Sequence, residues 1–569
     1  MIIRQRDRWR KVWEQRMTKD DLEMIFHFIG GLGLFLYGMH IMADGLQKSA
    51  GGKLKNLMGF LTKNRFIAVA VGALITAIIQ SSSATTVMVV GFVNAGMLTL
   101  TQAVGVIMGA NIGTTITAWI VSMNDLGSVF KPEFFAPVLV GIGTFLMLFS
   151  QKEGKKKTGE ILVGFGALFI GLTYMSDAIK PYRDAQIFVD AFRVLGRNPI
   201  LAILVGAGVT AVIQSSSASV GILQTLALNG VVNWQSAVFI TLGQNIGTCV
   251  TALISSAGTG KNAKRASIIH LLFNTIGAIL FGTIMFILFR LNQAWASADI
   301  STVQISIFHT IFNILNTLCL FPFANQLVKL SGLIIRDDKD EEEVKEDIPT
   351  EVKRRLDKRI LANPSFAIET AIKEVSYMGE IALTNAKLSI EAVQSGDKDM
   401  STEVYAKEKV INELEKILTA YLVEVDNLSL TEKQHSIIKN LFYTISDMER
   451  VGDHSENIAQ LADTRRKDKI SFSKRGITDL EDIATETIHA LELSIQARRD
   501  GDKKASEQVE AFEAKVDAME DEMRERHIQR LSKGKCDPES GVIFLDILSN
   551  LERISDHAVN IAGYVATEI

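Results

Sequence analysis

Cysteine is nearly absent. The 569 residues hold three, Cys249, Cys319 and Cys536, with no Cys-x-x-Cys spacing, which argues against a disulfide scaffold and a thiolate zinc site. Charge is missing too: residues 66–122 and 199–256 contain no Asp, Glu, Lys or Arg. Residues 1–331 as a whole carry 26 Lys+Arg and 14 Asp+Glu, too few to clothe a water-soluble surface, where roughly a quarter of positions are charged. No nucleotide-binding loop and no nucleophile–base pair stands out, which points away from an enzyme, and no nucleic-acid partner is indicated. The basic N-terminal residues run into an apolar stretch at 22–44 without a small-residue cleavage signal, so it reads as a retained membrane helix.

The rest of the charge lies in residues 332–569, with 34 Lys+Arg against 50 Asp+Glu. A membrane domain followed by an acidic, water-soluble one is the simplest reading, with a charged linker at 333–354. Simple spans are expected at 22–43, 133–150, 160–177, 266–290 and 301–330. The two charge-free stretches differ, because each is interrupted by a polar cluster: Gln80-Ser81-Ser82-Ser83-Ala84-Thr85-Thr86 and Gln214-Ser215-Ser216-Ser217-Ala218-Ser219. The apolar arms on either side are too short to span, so each cluster is expected at the tip of a re-entrant hairpin, followed by a full span at 99–122 or 234–256.

The stretches are copies. Asn64 and Asn198, Gln80 and Gln214, and Gly109 and Gly243 share one offset of 134, and the last pair opens Gly-Ala-Asn111-Ile-Gly-Thr114 and Gly-Gln-Asn245-Ile-Gly-Thr248. Upstream, Gly38, Met42 and Asp44 match Gly171, Met175 and Asp177, the two aspartates falling at what read as helix ends. The crossing count inverts the second copy (159–332) relative to the first (22–158), the architecture of secondary transporters. Lysine-rich loops at 48–65, 152–157 and 261–265 fall on one side with the acidic domain, which makes that side cytoplasmic. The N-terminal segment (1–21, basic at 4–19) falls on the other side in this count. The fold class expected is therefore all-α: a polytopic membrane protein in the cell membrane, plus a cytoplasmic helical domain.

A broken helix exposes amides at the start of its second half and carbonyls at the end of its first. In lipid these need partners. Amides and serine hydroxyls suit an anion; the carbonyls, with Asn111, Thr114, Asn245 and Thr248, suit sodium. The alternative is that the hydroxyls merely aid helix packing or bond back to their own backbone. The duplicated clusters, each followed by Gly-x-Asn-Ile-Gly-Thr, resemble the type II sodium/phosphate cotransporter family over about residues 24–330. The resemblance implies sodium-coupled movement of inorganic phosphate, with Gln80, Ser81, Ser82, Ser83, Thr85, Thr86, Gln214, Ser215, Ser216, Ser217 and Ser219 at the site. Asn111, Thr114, Thr115, Asn245 and Thr248 are of second rank, and Cys249 departs from Thr115. A sensor without transport, and a carrier of another oxyanion, are the rival readings.

The acidic half has helical periodicity, as in the stripe Ile411, Leu414, Leu418, Tyr421, Leu422 and Val425. Six helices are expected near 364–395, 401–427, 430–463, 473–500, 503–533 and 538–566. Glu449-Arg450-Val451-Gly452-Asp453-His454 recurs as Glu552-Arg553-Ile554-Ser555-Asp556-His557, and Glu408/Asn412 as Glu513/Asp517; two three-helix bundles follow (355–569). Paired carboxylates at i and i+4 call for a cation or an arginine between them, and Arg450 and Arg553 stand adjacent. The pattern resembles PhoU-like phosphate-regulatory proteins, which implies divalent or trivalent metal at Glu408, Glu449, Asp453, Glu513, Asp517, Glu552 and Asp556. A dimer through this domain and a cytoplasmic signalling partner are further expectations.

Overall fold

Backbone groups buried in lipid must bond within their own segment, which leaves the charge-poor half little choice but helix. The computed structural model describes residues 19–61, 64–123, 132–183, 185–336, 347–534 and 537–568, and it is all-α; the sole β pairing among them is one antiparallel bridge between Asn233 and Asp299. Most of the basic N-terminal segment, the middle of the charged linker and Cys536 lie outside the described residues. The chain divides into two units at residues 340 and 341.

The first unit runs α1 (Lys19–Leu61), α2 (Arg65–Ile79), α3 (Ser82–Asn94), α4 (Leu100–Gly113), α5 (Thr115–Ser122), α6 (Pro132–Phe149), α7 (Glu153–Ile179), α8 (Gln186–Arg197), α9 (Pro199–Ile213), α10 (Ser216–Leu228), α11 (Trp234–Ser255), α12 (Lys261–Leu291), α13 (Gln293–Ser297), α14 (Thr302–Leu320) and α15 (Ala324–Ile334). Among the described residues six helical segments are long and apolar enough to cross a membrane: Lys19–Ala50, Leu100–Ser122, Glu153–Tyr182, Trp234–Ser255, Lys261–Leu291 and Thr302–Ile334. Phe145, Ile200, Ile279 and Leu318 are exposed on this unit, as lipid-facing side chains should be.

The expected span at 301–330 falls within the apolar segment Thr302–Ile334, in which Pro322 sits in a 3₁₀ turn, Phe321–Phe323, between α14 and α15, because proline cannot donate the next helical bond. Asp44 lies inside α1, not at a helix end, whereas Asp177 is in the last turn of α7. The expected span at 133–150 is the 18-residue α6, which carries Pro137.

Packing register shows the hairpins. Along α2 and α4, a Cβ on Gly72 would meet Val106, one on Gly109 would meet Val69 and Ala73, and one on Gly113 would meet Ala73 and Thr76. The numbers rise together, so α2 and α4 are parallel and the intervening α3 must run back. In the second copy Gly206, Gly243 and Gly247 repeat the pattern against Ile240, Ile203 and Ala207.

The copies are also inverted. Gly31 of α1 packs on Gly171 of α7, and Gly38 packs on Gly164 and Leu168. As α1 advances α7 retreats, so these matched helices are antiparallel. Hairpin one ends beside the start of α12, where the Gly260 amide donates to Asn94 Oδ1 at 3.0 Å. Both ends of hairpin two, Arg197 and Gly230, line one cavity with Phe289 and Arg290 at the far end of α12. The two hairpins therefore enter from opposite ends of one 31-residue helix.

The second unit comprises α16 (Ile348–Arg355), α17 (Pro364–Ser395), α18 (Lys398–Asp426), α19 (Glu432–Lys467), α20 (Lys474–Asp500), α21 (Lys503–Ser532) and α22 (Pro538–Glu568). The last six are the expected two three-helix bundles, and they share one core. The charged linker is shorter than expected at its C-terminal end: α16 is capped by Asp347 and docks through an Arg355–Glu374 ion pair of 2.8 Å. Duplication shows again in reciprocal contacts. His454 bonds Asn550 at 2.9 Å, His557 bonds Asp447 at 2.7 Å, and the rings of His454 and His557 stack at 5.6 Å.

The close crossing of α1 and α7 leaves no room for side chains at its centre. Gly38→Leu should lower the melting temperature of the detergent-solubilised protein by 5 °C or more. Gly33→Leu, whose Cβ meets nothing, should shift it by no more than about 1 °C.

Candidate functional site

Each hairpin tip is built by one residue in a left-handed conformation and one serine cap. Gln80 and Gln214 both have φ 56°, and they close α2 and α9 through bonds to Thr76 O and Thr210 O. A non-glycine residue there costs about 1 kcal/mol, and at Gln80 the side chain gives something back: Oε1 accepts from Thr117 at 3.0 Å, and Nε2 bonds the Ala77 carbonyl. Ser81 and Ser215 then cap α3 and α10, their hydroxyls accepting from the amides of Ala84 and Ala218 at 3.1 and 3.2 Å. One orphan amide per tip is thereby satisfied. The amides of Ser82 and Ser83, and of Ser216 and Ser217, take no partner among the described residues, and they sit at the positive ends of two 13-residue helices.

The two tips meet. Ser82 Oγ and Ser216 Oγ are 3.3 Å apart and both are buried. Around this pair the contacts are reciprocal: Thr251 donates to Ser83 and Ser217 donates to Thr117, each at 3.3 Å. Since 83 and 217, and 117 and 251, are matched positions, a two-fold relation passes between the serines, as at an isologous dimer interface. Thr114 adds a contact to Ser216 at 3.3 Å, at the point where the first copy's span is interrupted between α4 and α5; the second copy's α11 is continuous and Thr248 bonds its own helix at Gln244 O. No fixed charge lies in any of these segments.

Other expected residues play supporting parts here. Thr85 and Ser219 are tied within their hairpins to Thr76 (3.0 Å) and Thr210 (2.8 Å), and Thr86 bonds Ser83 O. Asn111 and Asn245 bond carbonyls four residues back, Ile107 O and Thr241 O, and Thr115 bonds Ile112 O. Cys249 packs away from the tips against His270 O and Asn274. Gln214, unlike Gln80, is exposed. Thr117 and Thr251 belong to the junction although neither stands in a serine cluster; their shared offset of 134 is the signal that marks them.

In the second unit the carboxylate motifs separate into two groups. Glu513, Asp517 and Asp556 bring one oxygen each within 4.8 Å of one another. Glu513 and Asp517 are held above the usual carboxylate range by burial and then by neighbouring carboxylates, and Glu552 is raised by burial and by Asp556. Acid groups crowded in this way form an oxygen-rich donor set that a hard cation fits. The first group differs because Asn412 replaces an aspartate. Glu408 is buried, and burial followed by the charges of Asp453, Glu456 and Glu449 pushes its pKa up to about 8; Glu449 is raised by burial and by Asp453. Among the described residues Arg450 and Arg553 pair with the adjacent Glu449 and Glu552, at 3.8 and 3.7 Å, and do not bridge the Glu–Asp pairs.

A polytopic unit of inverted hairpins whose charge-free tips meet defines a secondary-transporter class of fold. The Na+/Pi-cotransporter family model matches residues 34–177 and 185–316, and the PhoU domain model matches residues 375–462 and 480–565. The N-terminal region of this chain belongs to the Na+/Pi-cotransporter family and its C-terminal region carries two PhoU domains: it is a multi-pass phosphate-transport protein with a PhoU-like part. YjbB of Escherichia coli K12, described as a candidate inorganic phosphate export protein, is 22% identical over 542 residues, 95% of this chain and 96% of its own. The sodium-dependent phosphate transport protein 2B of Homo sapiens is 36% identical over 132 residues, 21% of this chain and 19% of its own. The crystal structure of PhoU from Pseudomonas aeruginosa is 20% identical and covers 35% of this chain and 95% of its own, with a TM-score of 0.33.

Glu408 yields a pH prediction with a definite sign. Its raised pKa means that the folded state holds the proton more tightly than the unfolded chain. The stabilisation is full below the ordinary carboxylate range and is lost as pH rises toward 8. In the full-length protein Glu408→Gln should remove this pH dependence and raise the melting temperature of the second unit at pH 8 by roughly 5 °C, as followed by thermal unfolding at pH 5 and pH 8.

Proposed function

We propose that this protein is a sodium-coupled carrier of inorganic phosphate that works by alternating access, with phosphate and Na+ bound between the two serine tips near the middle of the membrane. The reciprocal contact of Ser82, Ser83, Ser216 and Ser217 across matched positions carries this reading. Two half-helix N-termini offer roughly one positive charge in total, while phosphate brings between one and two negative charges at neutral pH. Sodium on the carbonyls that end α2 and α9 makes up the difference. Phosphate oxygens would replace the hydroxyl–hydroxyl contacts one for one, and the inverted repeats would rock about the bound ion.

The YjbB relatives favour net export as the cellular direction; the gradients, not the fold, set the direction of a carrier of this kind. In this reading the second unit lies in the cytoplasm and acts as a regulator. There Glu513, Asp517, Asp556 and Glu552 would hold a divalent or trivalent metal, and the first group, with Glu408, Glu449 and Asp453, would hold it less well for want of a fourth acid at Asn412. Pairing of two copies, or docking of a signalling partner, through this unit would link metal and phosphate status to transport.

Labelled phosphate flux into liposomes tests the carrier. A sodium gradient should drive it and a potassium gradient should not, and Ser82→Ala with Ser216→Ala should lower it at least tenfold, as loss of two ligand hydroxyls of about 1 kcal/mol or more each implies. Flux indifferent to sodium and to both substitutions would overturn the assignment. For the regulator, manganese at 100 times its dissociation constant should stabilise the second unit by about 2.7 kcal/mol, and Asp517→Asn should abolish that shift in thermal unfolding.

A further inference from the structure

The junction of the tips uses none of the arginines gathered at the other end of hairpin two. There an open cavity of about 980 Å³ is lined by Arg183, Arg197 and Arg290 together with Asn233, Gln235 and Asp299. Three separate elements bring the cations together: Arg183 follows α7, Arg197 ends α8 beside the Asn198 cap of α9, and Arg290 lies in the last turn of α12. A helix C-terminus favours a nearby cation, which accounts for Arg197 and Arg290 singly but not for their convergence on one cavity. Arg290 lies over the Phe286 ring at 5.1 Å, and among the described residues Arg197 forms no ion pair. Among the described residues that line the cavity, Asp299 is the one carboxylate beside the Arg197 and Arg290 guanidiniums. The aromatic rings of Trp234, Trp295 and Phe289 stand alongside, with centroids 5.3 and 5.0 Å apart, the arrangement found where protein meets the headgroup layer.

We propose that this cavity binds a phosphate group at the membrane surface, at the mouth through which hairpin two opens. The guanidinium fork matches phosphate oxygens two at a time, and a cleft lined by one sign of charge concentrates the opposite sign. Inorganic phosphate and the headgroup of an anionic phospholipid offer the same chemistry. A site of this kind goes beyond the carrier reading and does not depend on it, since a headgroup would bind whether or not anything is transported.

Thermal unfolding of the full-length protein in detergent tests it, in a Ser82→Ala, Ser216→Ala background so that the junction contributes little. Millimolar inorganic phosphate in one arm, and micelles containing phosphatidylglycerol in the other, should raise the melting temperature in at least one arm. Arg197→Gln with Arg290→Gln should cut that shift at least threefold, and Arg197→Lys with Arg290→Lys, which keeps the charge but loses the fork, should weaken the apparent affinity severalfold less. A shift with phosphate assigns the free anion, and a shift with lipid alone assigns the headgroup. No shift in either arm, or the same shift in the glutamine variant, overturns the proposal; should the glutamine variant fail to fold, an unchanged apparent affinity in the lysine variant does so.

Discussion

A helix broken inside lipid leaves amides and carbonyls that nothing in the bilayer can satisfy. Everything notable in the first unit answers that constraint. The left-handed glutamines and the serine caps deal with part of it, leaving two unmatched amides per tip and a ring of hydroxyls that bond one another. On the proposed carrier reading, a lysine or arginine at the tips would hold phosphate too tightly and would itself need a partner once the anion left. Hydroxyls and helix ends attract an anion yet keep their own hydrogen bonds in its absence.

Both units are internal duplicates whose halves face each other across a local two-fold relation. In the first the matched contacts are serine with serine and threonine with serine; in the second they are His454 with Asn550 and His557 with Asp447. Symmetry is incomplete in both. Gln80 is bonded where Gln214 is exposed, Thr114 reaches across where Thr248 bonds its own helix, and Asn412 stands where its counterpart is Asp517.

Much of this was legible in the chain alone. Two interrupted charge-free stretches at one offset foretold the hairpins and their tips, and the apolar stripe around Ile411–Val425 foretold α18, because burial in lipid and in a bundle core both write a strong pattern. Three features escaped. Thr117 and Thr251 look like ordinary packing residues until the tips are brought together. The contribution of Asn111, Asn245 and Thr115 to their own helices depends on rotamers that spacing does not encode. The α16 helix was hidden in a charge-rich segment, since it docks through only a few apolar residues, Pro349 and Val352 among them, beside the Arg355–Glu374 ion pair.

The central claim is that the two tips meet and that their junction is where transport happens. In a background with Cys249, Cys319 and Cys536 replaced, Ser82→Cys with Ser216→Cys should form a disulfide on mild oxidation, stop phosphate flux, and recover it on reduction. A pair that does not cross-link, or one that cross-links and transports as before, would contradict the account.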